Sequence, residues 1–436
     1  MHKFFVNFLC LFIFDKEKRH KLRNSLAKPK KIVPIELDKK NLLPKIIKPV
    51  NNKVLLIGYN NFLKNNAGCN AYVFNIVKLL KSMGFEIDFL SSENFAWTKY
   101  EKEFDDFEKL NEKYKLIDRA FLLPYSKEKV FKKYKYSNST SKWFDDRFVS
   151  LFQKVVSENE YGYILSNYIN FSDLFRFTDL NPNTKIINIF HDCNTMQMFF
   201  RFNNYSDIGM YFEEEVKLLQ YYNDVLNISY DEKALFEKFY PNKKFHWLPF
   251  FSESKDVSEY KKDIDLLFIG HCNMYNYNSI LWFYDNVFPK LKNVKLVVCG
   301  KVSKMIRDNN PSIYKQMEKD NIVFYDYVEN LDDLYFKTKI AIVPMFGGTG
   351  LKVKTVTAMS YGIPVCGTMS ACDGFLDKTE NGCLLSDDAV EFANNINKLL
   401  NDKEFYEQVS RKEQEYFKKY FSVERAKKVL KEVFNG

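Results

Sequence analysis

Short apolar runs alternate with helix-like segments along most of this chain, and the alternation occurs in two series. The first series begins with KVLLIGYN (53–60), which predicts a buried strand, followed by a turn, a helix ending at Gly84 and a second strand, FEIDFLS. The second series begins with DIDLLFIG (263–270) and runs to GCLLS (382–386). Parallel strand pairs need crossover connections, so this alternation favours parallel sheets. The sequence therefore predicts an α/β chain with two doubly wound domains facing across a cleft, where such sheets bind ligands.

The domain boundaries are predicted from changes in composition. Residues 1–50 form a basic, partly apolar arm, and the first domain takes residues 51–255. The polar stretch PFFSESKDVSEYKKD lies at the junction, so the second domain takes residues 256–415. Residues 416–436 end an amphipathic, mixed-charge segment that predicts a helix pair. A coiled-coil partner helix is the alternative for this segment.

The net charge of +9 belongs to the arm and not to the body of the protein. Residues 15–50 hold twelve Lys or Arg and four Asp or Glu, Lys3 adds one positive charge, and residues 51–436 sum to zero. A neutral body has no overall attraction for polyphosphate, so nucleic acid is not a predicted partner.

The arm begins MHKFFVNFLCLFIFDKEKRHKLR. Its apolar run is too short to span a bilayer, its charges follow the run, and no small-residue cleavage site is present. The pattern predicts an interfacial anchor in which residues 1–31 contact an anionic membrane, the alternatives being a helix packed on the body or a frayed terminus. The eight cysteines are scattered without a CxxC pair, as is typical of reduced cysteines in the cytosol. We therefore expect a cytoplasmic protein, peripheral at the inner face of the cytoplasmic membrane.

A glycine-rich turn inside GGTGLKVKTVTAMSYGIPV is the strongest candidate for a binding site. The strand at 340–345 precedes the turn at 347–350, and a helix is predicted over 351–361. Backbone N–H groups at a helix start bind anions, Thr349 can cap that start, and Lys352 can point back at the same anion. The pattern fits a phosphate-bearing ligand. An ordinary strand-to-helix loop with a capping threonine is the alternative.

The segment GGTGLKVKTVTAMSYGIPV closely resembles the donor-nucleotide signature of family 4 glycosyltransferases, which have the GT-B fold. NNAGCNAYVFNIVKLLKSMGFEIDFLS is similar to the family's first glycine turn and helix, and TKIINIFHDCN to its strand ending in His-Asp at the cleft. The resemblance runs over about residues 53–400. It implies two Rossmann-like domains, with the last helix crossing back to the first domain.

The resemblance also implies roles for individual residues. The donor diphosphate would be held by Gly270, Gly347, Gly348, Thr349, Gly350 and Lys352. Tyr327 and Val328 would lie against the base, and His191 near the donor sugar, with Asp192 next to it. Gly68 and Asn70 would belong to an acceptor-side loop. The nucleotide sugar is a substrate, so no cofactor is implied.

Two departures from the family pattern affect this site. The family often carries a Glu-x7-Glu pair whose second carboxylate binds the ribose, whereas this chain has Thr349 and Thr357. A neutral hydroxyl at Thr357 would bond the ribose less strongly than a carboxylate. The Arg and Lys that often follow the first donor-domain strand are also absent, with His271 and Asn276 near those positions.

The resemblance implies transfer with retention, in which the donor's own phosphate oxygen takes the acceptor proton. Lys352 and the 348–350 turn would then stabilise the departing diphosphate, and His191 would steady the sugar. Asp192 would be the base if the enzyme were inverting instead. DID at 263–265 matches a metal-binding Asp-x-Asp, but it precedes a buried strand at the end away from the cleft, so no metal is predicted.

The leading functional hypothesis is a bacterial glycosyltransferase that builds a surface polysaccharide such as capsule or lipopolysaccharide. It would use a nucleotide-sugar donor and a glycan or lipid-linked acceptor. The alternatives are a non-catalytic scaffold or activator subunit with the same fold, a two-domain sugar-binding protein, and a sugar-nucleotide epimerase.

Overall fold

The structure is a computed structural model. It describes residues 35–38, 47–65, 67–93, 103–139, 143–202, 207–256 and 260–435. The predicted membrane-contacting segment, residues 1–31, lies outside the described residues.

The first domain is a parallel sheet with the strand order β3-β2-β1-β4-β5-β6-β7. Its strands are β1 (Lys53–Ile57), β2 (Glu86–Ser92), β3 (Arg119–Leu123), β4 (Tyr163–Asn167), β5 (Lys185–Phe190), β6 (Asp224–Asn227) and β7 (Lys244–Trp247). Its described α-helices are α1 (Gly68–Ser82), α2 (Phe107–Tyr114), α3 (Asp146–Glu158), α4 (Ser172–Arg176), α5 (Asn194–Phe202), α6 (Ile208–Leu218) and α7 (Tyr230–Glu237). The strand order reverses between β1 and β4, which makes their carboxyl ends the expected position of a ligand cleft.

The second domain is a parallel sheet with the strand order β10-β9-β8-β11-β12-β13. Its strands are β8 (Ile264–Ile269), β9 (Leu296–Cys299), β10 (Val323–Tyr325), β11 (Thr338–Val343), β12 (Val365–Gly367) and β13 (Leu384–Leu385). The helices that follow in chain order are α8 (Met274–Asn286), α9 (Lys301–Asn309), α10 (Pro311–Lys319), α11 (Asp332–Tyr335), α12 (Val353–Ser360), α13 (Ala389–Asn401), α14 (Lys403–Tyr420) and α15 (Val423–Asn435). Its strand order reverses between β8 and β11, and the glycine-rich turn follows β11 in the chain.

Short 3-10 helices complete the described secondary structure of both domains. They cover Phe62–Lys64, Ile169–Phe171, Leu219–Tyr221, Phe288–Lys290 and Met369–Cys372.

The C-terminal helix α15 packs on the first domain. Lys185 at the start of β5 donates to the Val433 carbonyl at 2.6 Å, and the Tyr163 hydroxyl donates to the Phe434 carbonyl. Leu430 of α15 is fully buried in an apolar core that also contains Leu56 of the first domain and Val343 of the second. The helix therefore joins both domains through one continuous core. The predicted boundary between residues 415 and 416 falls inside α14, which runs from Lys403 to Tyr420.

Candidate active site

The glycine-rich turn follows β11 and approaches the first domain. Gly347, Gly348 and Gly350 have φ angles of 91°, 100° and 66°, in the left-handed region that favours glycine. Helix α12 begins at Val353 and not at 351, because Lys352 is still outside the helix with ψ of 86°. Thr349 does not cap this helix. Its hydroxyl instead donates to Asp192 Oδ1 of the first domain at 3.1 Å.

Only two of the amide N–H groups of the turn donate hydrogen bonds within the described residues. The Gly347 amide donates to Ser370 Oγ at 3.2 Å, and the Gly350 amide donates to Glu232 Oε1 at 3.2 Å. Within the described residues, the amides of Gly348 and Thr349 make no hydrogen bond. Two adjacent N–H groups are thus available to an anion.

Two lysines come together beside the turn, and only one of them was predicted. The Lys352 ammonium is buried, makes no hydrogen bond and lies 3.5 Å from Asp373 Oδ2. Lys354 Nζ bonds to Asn276 Oδ1 at 2.6 Å and lies 4.8 Å from the centre of the Phe268 ring. Burial, and secondly the charge of Lys352, lower the pKa of Lys354 to about 7. Two neighbouring ammonium groups with one partial counter-charge favour an anionic ligand, since an uncompensated buried charge is costly.

His191 follows β5 and is enclosed by groups of the first domain. Its Nε2 atom lies 2.6 Å from Asn167 Oδ1, at the end of the neighbouring strand β4. The Tyr168 ring stacks on the imidazole with centroids 4.2 Å apart, and the Tyr72 ring meets it edge-on at 5.4 Å. Burial lowers the pKa of His191 to about 3, so the imidazole is neutral at physiological pH.

Two carboxylates of the first domain hold the turn. Asp192 lies so close to Gly350 that a Cβ atom there would be 2.4 Å from its Oδ1, and only glycine fits. Glu232 is buried, and its Oε1 accepts from the amides of Cys193 at 3.1 Å and Gly350 at 3.2 Å. Its Oε2 has no hydrogen-bond partner in the described residues. Burial first, and then the charge of Asp192, raise the pKa of Glu232 well above its ordinary value.

Glu232 also belongs to a wider contact between the domains through the first turn of α7. The Tyr230 amide donates to the Gly374 carbonyl at 2.9 Å, and the Gly374 amide donates to Asp231 Oδ2 at 3.0 Å. The S-x-x-E pattern at Ser229 would have indicated only a helix capping box. Ser229 does cap α7, but Glu232 reaches across to the other domain. The two domains therefore touch directly through Asp192 and Glu232.

Other predicted site residues occupy different surroundings. Gly270 is packed inside the second domain, where a Cβ would lie 3.0 Å from atoms of Phe268 and Val302. Tyr327 is 73% exposed on the loop after β10, and Val328, next to it, packs partly against the core. Thr357 donates to the Val353 carbonyl one turn earlier at 2.9 Å, so its hydroxyl is engaged within its own helix.

Gly68 and Asn70 lie in the first turn of α1 and not in a loop. A Cβ at Gly68 would meet Val353 of the second domain at 3.4 Å, so this helix start faces the glycine-rich turn across the domain boundary. Asn70 Oδ1 accepts from Asn60 Nδ2 at 2.6 Å.

The Asp-x-Asp sequence has a local role at the opposite end of the second sheet. Asp265 accepts from Lys339 Nζ at 2.7 Å and from the Lys295 amide at 2.9 Å. Among the described residues, no group of three or more His, Cys, Asp or Glu side chains is arranged to hold a metal ion. No helix in that part of the chain has the length and apolar character needed to cross a membrane.

One protein family model and one curated protein sequence each match a part of the chain. Residues 263–402 match the family model described as glycosyl transferases group 1. An uncharacterized 44.6 kDa protein in the cps region of Klebsiella pneumoniae is 22% identical over 262 residues, covering 57% of this chain and 67% of that protein.

Solved structures extend the likeness to most of the chain. TarM of S. aureus, in complex with fondaparinux, alpha-GlcNAc-glycerol and UDP, has a TM-score of 0.64 and 12% identity over 88% of this chain and 100% of its own. HepE of Anabaena, in complex with UDP and glucose, has a TM-score of 0.60 and 14% identity over 88% and 99%. Sucrose-phosphate synthase of Thermosynechococcus elongatus has a TM-score of 0.61 and 13% identity over 88% and 98%. The predicted GT-B fold, with two Rossmann-like domains, is confirmed, and so is the resemblance to glycosyltransferases.

Proposed function

We propose that this glycosyltransferase, whose residues 263–402 match the model of the glycosyl transferases group 1 family, moves a sugar from a nucleotide-sugar donor to a glycan or lipid-linked acceptor. The observation that carries the donor assignment is a pair of lysines, the buried Lys352 and the half-buried Lys354, near the amides of Gly348 and Thr349, which make no hydrogen bond within the described residues. A diphosphate supplies the negative charge and the acceptor oxygens that these groups lack.

A uridine diphosphate donor is the first choice for the nucleotide. The structures of TarM and HepE were obtained with UDP, and both cover nearly the whole of this chain. Tyr327 and Val328 are the groups that we assign to the base, and Gly270 to the close packing that shapes the phosphate loop.

The proposed acceptor belongs to a bacterial surface polysaccharide. The cps-region relative from Klebsiella supports this choice. A lipid-linked acceptor also accounts for the basic, partly apolar arm, which would hold the enzyme peripherally at the inner face of the cytoplasmic membrane. Gly68 and Asn70 would face this acceptor.

The proposed transfer proceeds with retention and without a metal ion. The bond between the anomeric carbon and the diphosphate oxygen breaks, the acceptor oxygen bonds to that carbon, and the acceptor proton goes to the departing phosphate oxygen. Lys352, Lys354 and the turn amides stabilise the developing negative charge. We assign the neutral His191 to a contact with the sugar, and Asp192, which accepts from Thr349, orients the turn.

The direct test is a binding and turnover panel on the full chain. Thermal unfolding is measured with UDP, GDP and ADP, and hydrolysis or transfer is measured with the corresponding nucleotide sugars. We expect one nucleoside diphosphate to raise the unfolding temperature and its sugar donor to be consumed at least slowly. Absence of both effects with all three bases would contradict the proposal. Conversion of the donor into an isomeric nucleotide sugar, with no acceptor present and no hydrolysis, would point to an epimerase.

A non-catalytic scaffold is the second candidate, and Thr357 is the observation that favours it. Its hydroxyl proton is donated to the Val353 carbonyl, so only a neutral oxygen lone pair remains to accept from the ribose. Turnover of any nucleotide sugar by the wild-type chain would dismiss this candidate. A two-domain sugar-binding protein would bind free sugar without needing Lys352.

Replacing Thr357 with Glu is expected to strengthen nucleoside diphosphate binding by about 5- to 10-fold. A charged acceptor on the ribose contributes roughly 1 kcal/mol more than a neutral one. Titration calorimetry with the nucleotide found in the panel measures the change. Thr357→Gln is the matched control, since it has the same length without the charge and should gain less. If both variants bind like the wild type, residue 357 does not contact the ribose.

A further inference from the structure

Two neighbouring side chains, those of Asn167 and Tyr168, fix the orientation of the His191 imidazole. Strands β4 and β5 are paired with Asn167 opposite Ile189, which brings the Asn167 side chain next to His191. The distance from Asn167 Oδ1 to His191 Nε2 is 2.6 Å, and both side chains are buried. A carbonyl oxygen can only accept a hydrogen bond, so Nε2 carries the proton of the neutral ring.

Tyr168, which stacks on the imidazole, has a strained backbone conformation. Its φ of 86° is in a region that residues with a Cβ rarely adopt, and such a conformation costs on the order of 1–3 kcal/mol. The conformation lets the tyrosine ring stack on the imidazole with an angle of 13° between the planes. Strain of this kind persists where the surrounding structure requires a particular geometry, often at a functional site.

The second ring nitrogen is left unused by the protein. Within the described residues, Nδ1 of His191 makes no hydrogen bond, and it is not among the fully enclosed polar atoms that lack one. The residue lies beside Asp192, which contacts the glycine-rich turn of the other domain. With Nε2 engaged by Asn167, the atom of this ring that remains for a ligand is Nδ1, which in the neutral ring offers a lone pair and not an N–H group.

We propose that Asn167 is a positioning residue that fixes His191 in the Nε2–H tautomer, so that Nδ1 accepts a hydrogen bond from a hydroxyl group of the bound sugar. Tyr168 holds the plane of the ring in this orientation. The neutral ring with its lone pair toward the sugar stabilises positive charge on the sugar ring, whereas an imidazolium would oppose it. This assignment rests on the proposed transferase function.

The tautomer itself can be measured without any substrate. The chain has five histidines, and comparing ring ¹⁵N spectra of the full-length protein with those of His191→Gln identifies the signals of His191. We expect a protonated Nε2 and an unprotonated Nδ1 throughout the range from pH 5 to 8. A protonated Nδ1, or titration of this ring in that range, would overturn the proposal even if no sugar donor were found.

The role in the reaction is tested by substituting Asn167 and measuring kcat and KM against pH. Asn167→Asp keeps an acceptor for the Nε2 proton but adds a negative charge that favours the imidazolium. We expect an acid limb in kcat that the wild type lacks, with near wild-type kcat above it. Asn167→Leu removes the acceptor and should lower kcat by about 10-fold or more at every pH, with KM changed less than about 3-fold.

Two controls separate this role from folding and from the proposed function itself. Affinity for the nucleoside diphosphate, which depends on Lys352, should be unchanged in Asn167→Asp and Asn167→Leu. An unaltered pH profile in Asn167→Asp would overturn the proposal, and so would a wild-type kcat in Asn167→Leu. If Asn167→Leu does not fold, the pH profile of the isosteric Asn167→Asp variant and the ¹⁵N spectra of the wild type still test the proposal. A wild-type protein without turnover on any donor would instead contradict the transferase function, while the tautomer would still be measurable.

Discussion

Replacing Lys352 with Met is expected to weaken nucleoside diphosphate binding by about 10- to 100-fold. The Lys352 ammonium is buried at the turn without a hydrogen bond, so it is free to bond a phosphate oxygen. Hydrogen bonds to charged groups contribute roughly 1.5–3 kcal/mol, which corresponds to that loss. Titration calorimetry measures the affinity. The exposed Lys319 on α10 of the same domain provides the control, and Lys319→Met should bind like the wild type.

Because of Lys354, we expect the affinity for the nucleoside diphosphate to depend on pH and to be higher at lower pH. The pKa of Lys354 is lowered to about 7, and a bound diphosphate favours the charged form. Binding should therefore take up a proton, and wild-type affinity should rise as the pH falls from about 8.5 to 7.5, where a terminal phosphate with a pKa of about 6 stays ionised. Lys354→Met should lose this dependence, whereas Lys352→Met should keep part of it. A wild-type affinity that is flat over this range would contradict the placement of Lys354 in the diphosphate site.

Both sheets could be predicted from the sequence because most strands are short, continuous apolar runs. A strand buried on both faces, as in β1 or β11, has no polar alternation that could be mistaken for a helix or a loop. Strand β7, with the sequence KFHW, was not predicted. It lies at the edge of its sheet, where exposed Lys244 and half-buried His246 interrupt the apolar pattern.

The glycine-rich turn was also predictable, but its contacts were not. Three positive φ angles explain why glycines recur at Gly347, Gly348 and Gly350. Thr349 was assigned to helix capping because local spacing suggested a cap, whereas its actual partner, Asp192, is 157 residues away. A partner on another domain leaves no local signal in the sequence.

Lys354 was missed for a related geometric reason. Residues two apart on a helix point to different sides, so Lys352 and Lys354 would be expected to diverge. Lys352 lies before the helix in a non-helical conformation, and this brings both ammonium groups to the same place. The contact between Asn167 and His191 likewise depends on the register of β4 against β5, which neither segment reveals alone.

Replacing Glu232 with Gln is expected to stabilise the protein by an amount that grows with pH. In the native structure Glu232 is buried with one unpaired oxygen, and burial raises its pKa well above the ordinary value. In the unfolded chain the carboxyl ionises above a pKa of about 4.3. The unfolded wild type is therefore favoured as the pH rises through this window, by about 1.4 kcal/mol per pH unit until the native pKa is reached. Glutamine does not ionise, so the variant escapes this loss.

The measurement is the difference in unfolding temperature between Glu232→Gln and the wild type at pH 5, 6 and 7. Other titrating groups are common to both proteins, so their contributions cancel in the difference. We expect a small difference at pH 5 and a clearly higher unfolding temperature for the variant at pH 7. Glu237, exposed on the same helix, is the matched control, and Glu237→Gln should show no such slope. A difference for Glu232→Gln that does not change with pH would mean that the carboxyl ionises in the folded protein, and that its contact with Gly350 joins the two domains as a charged group.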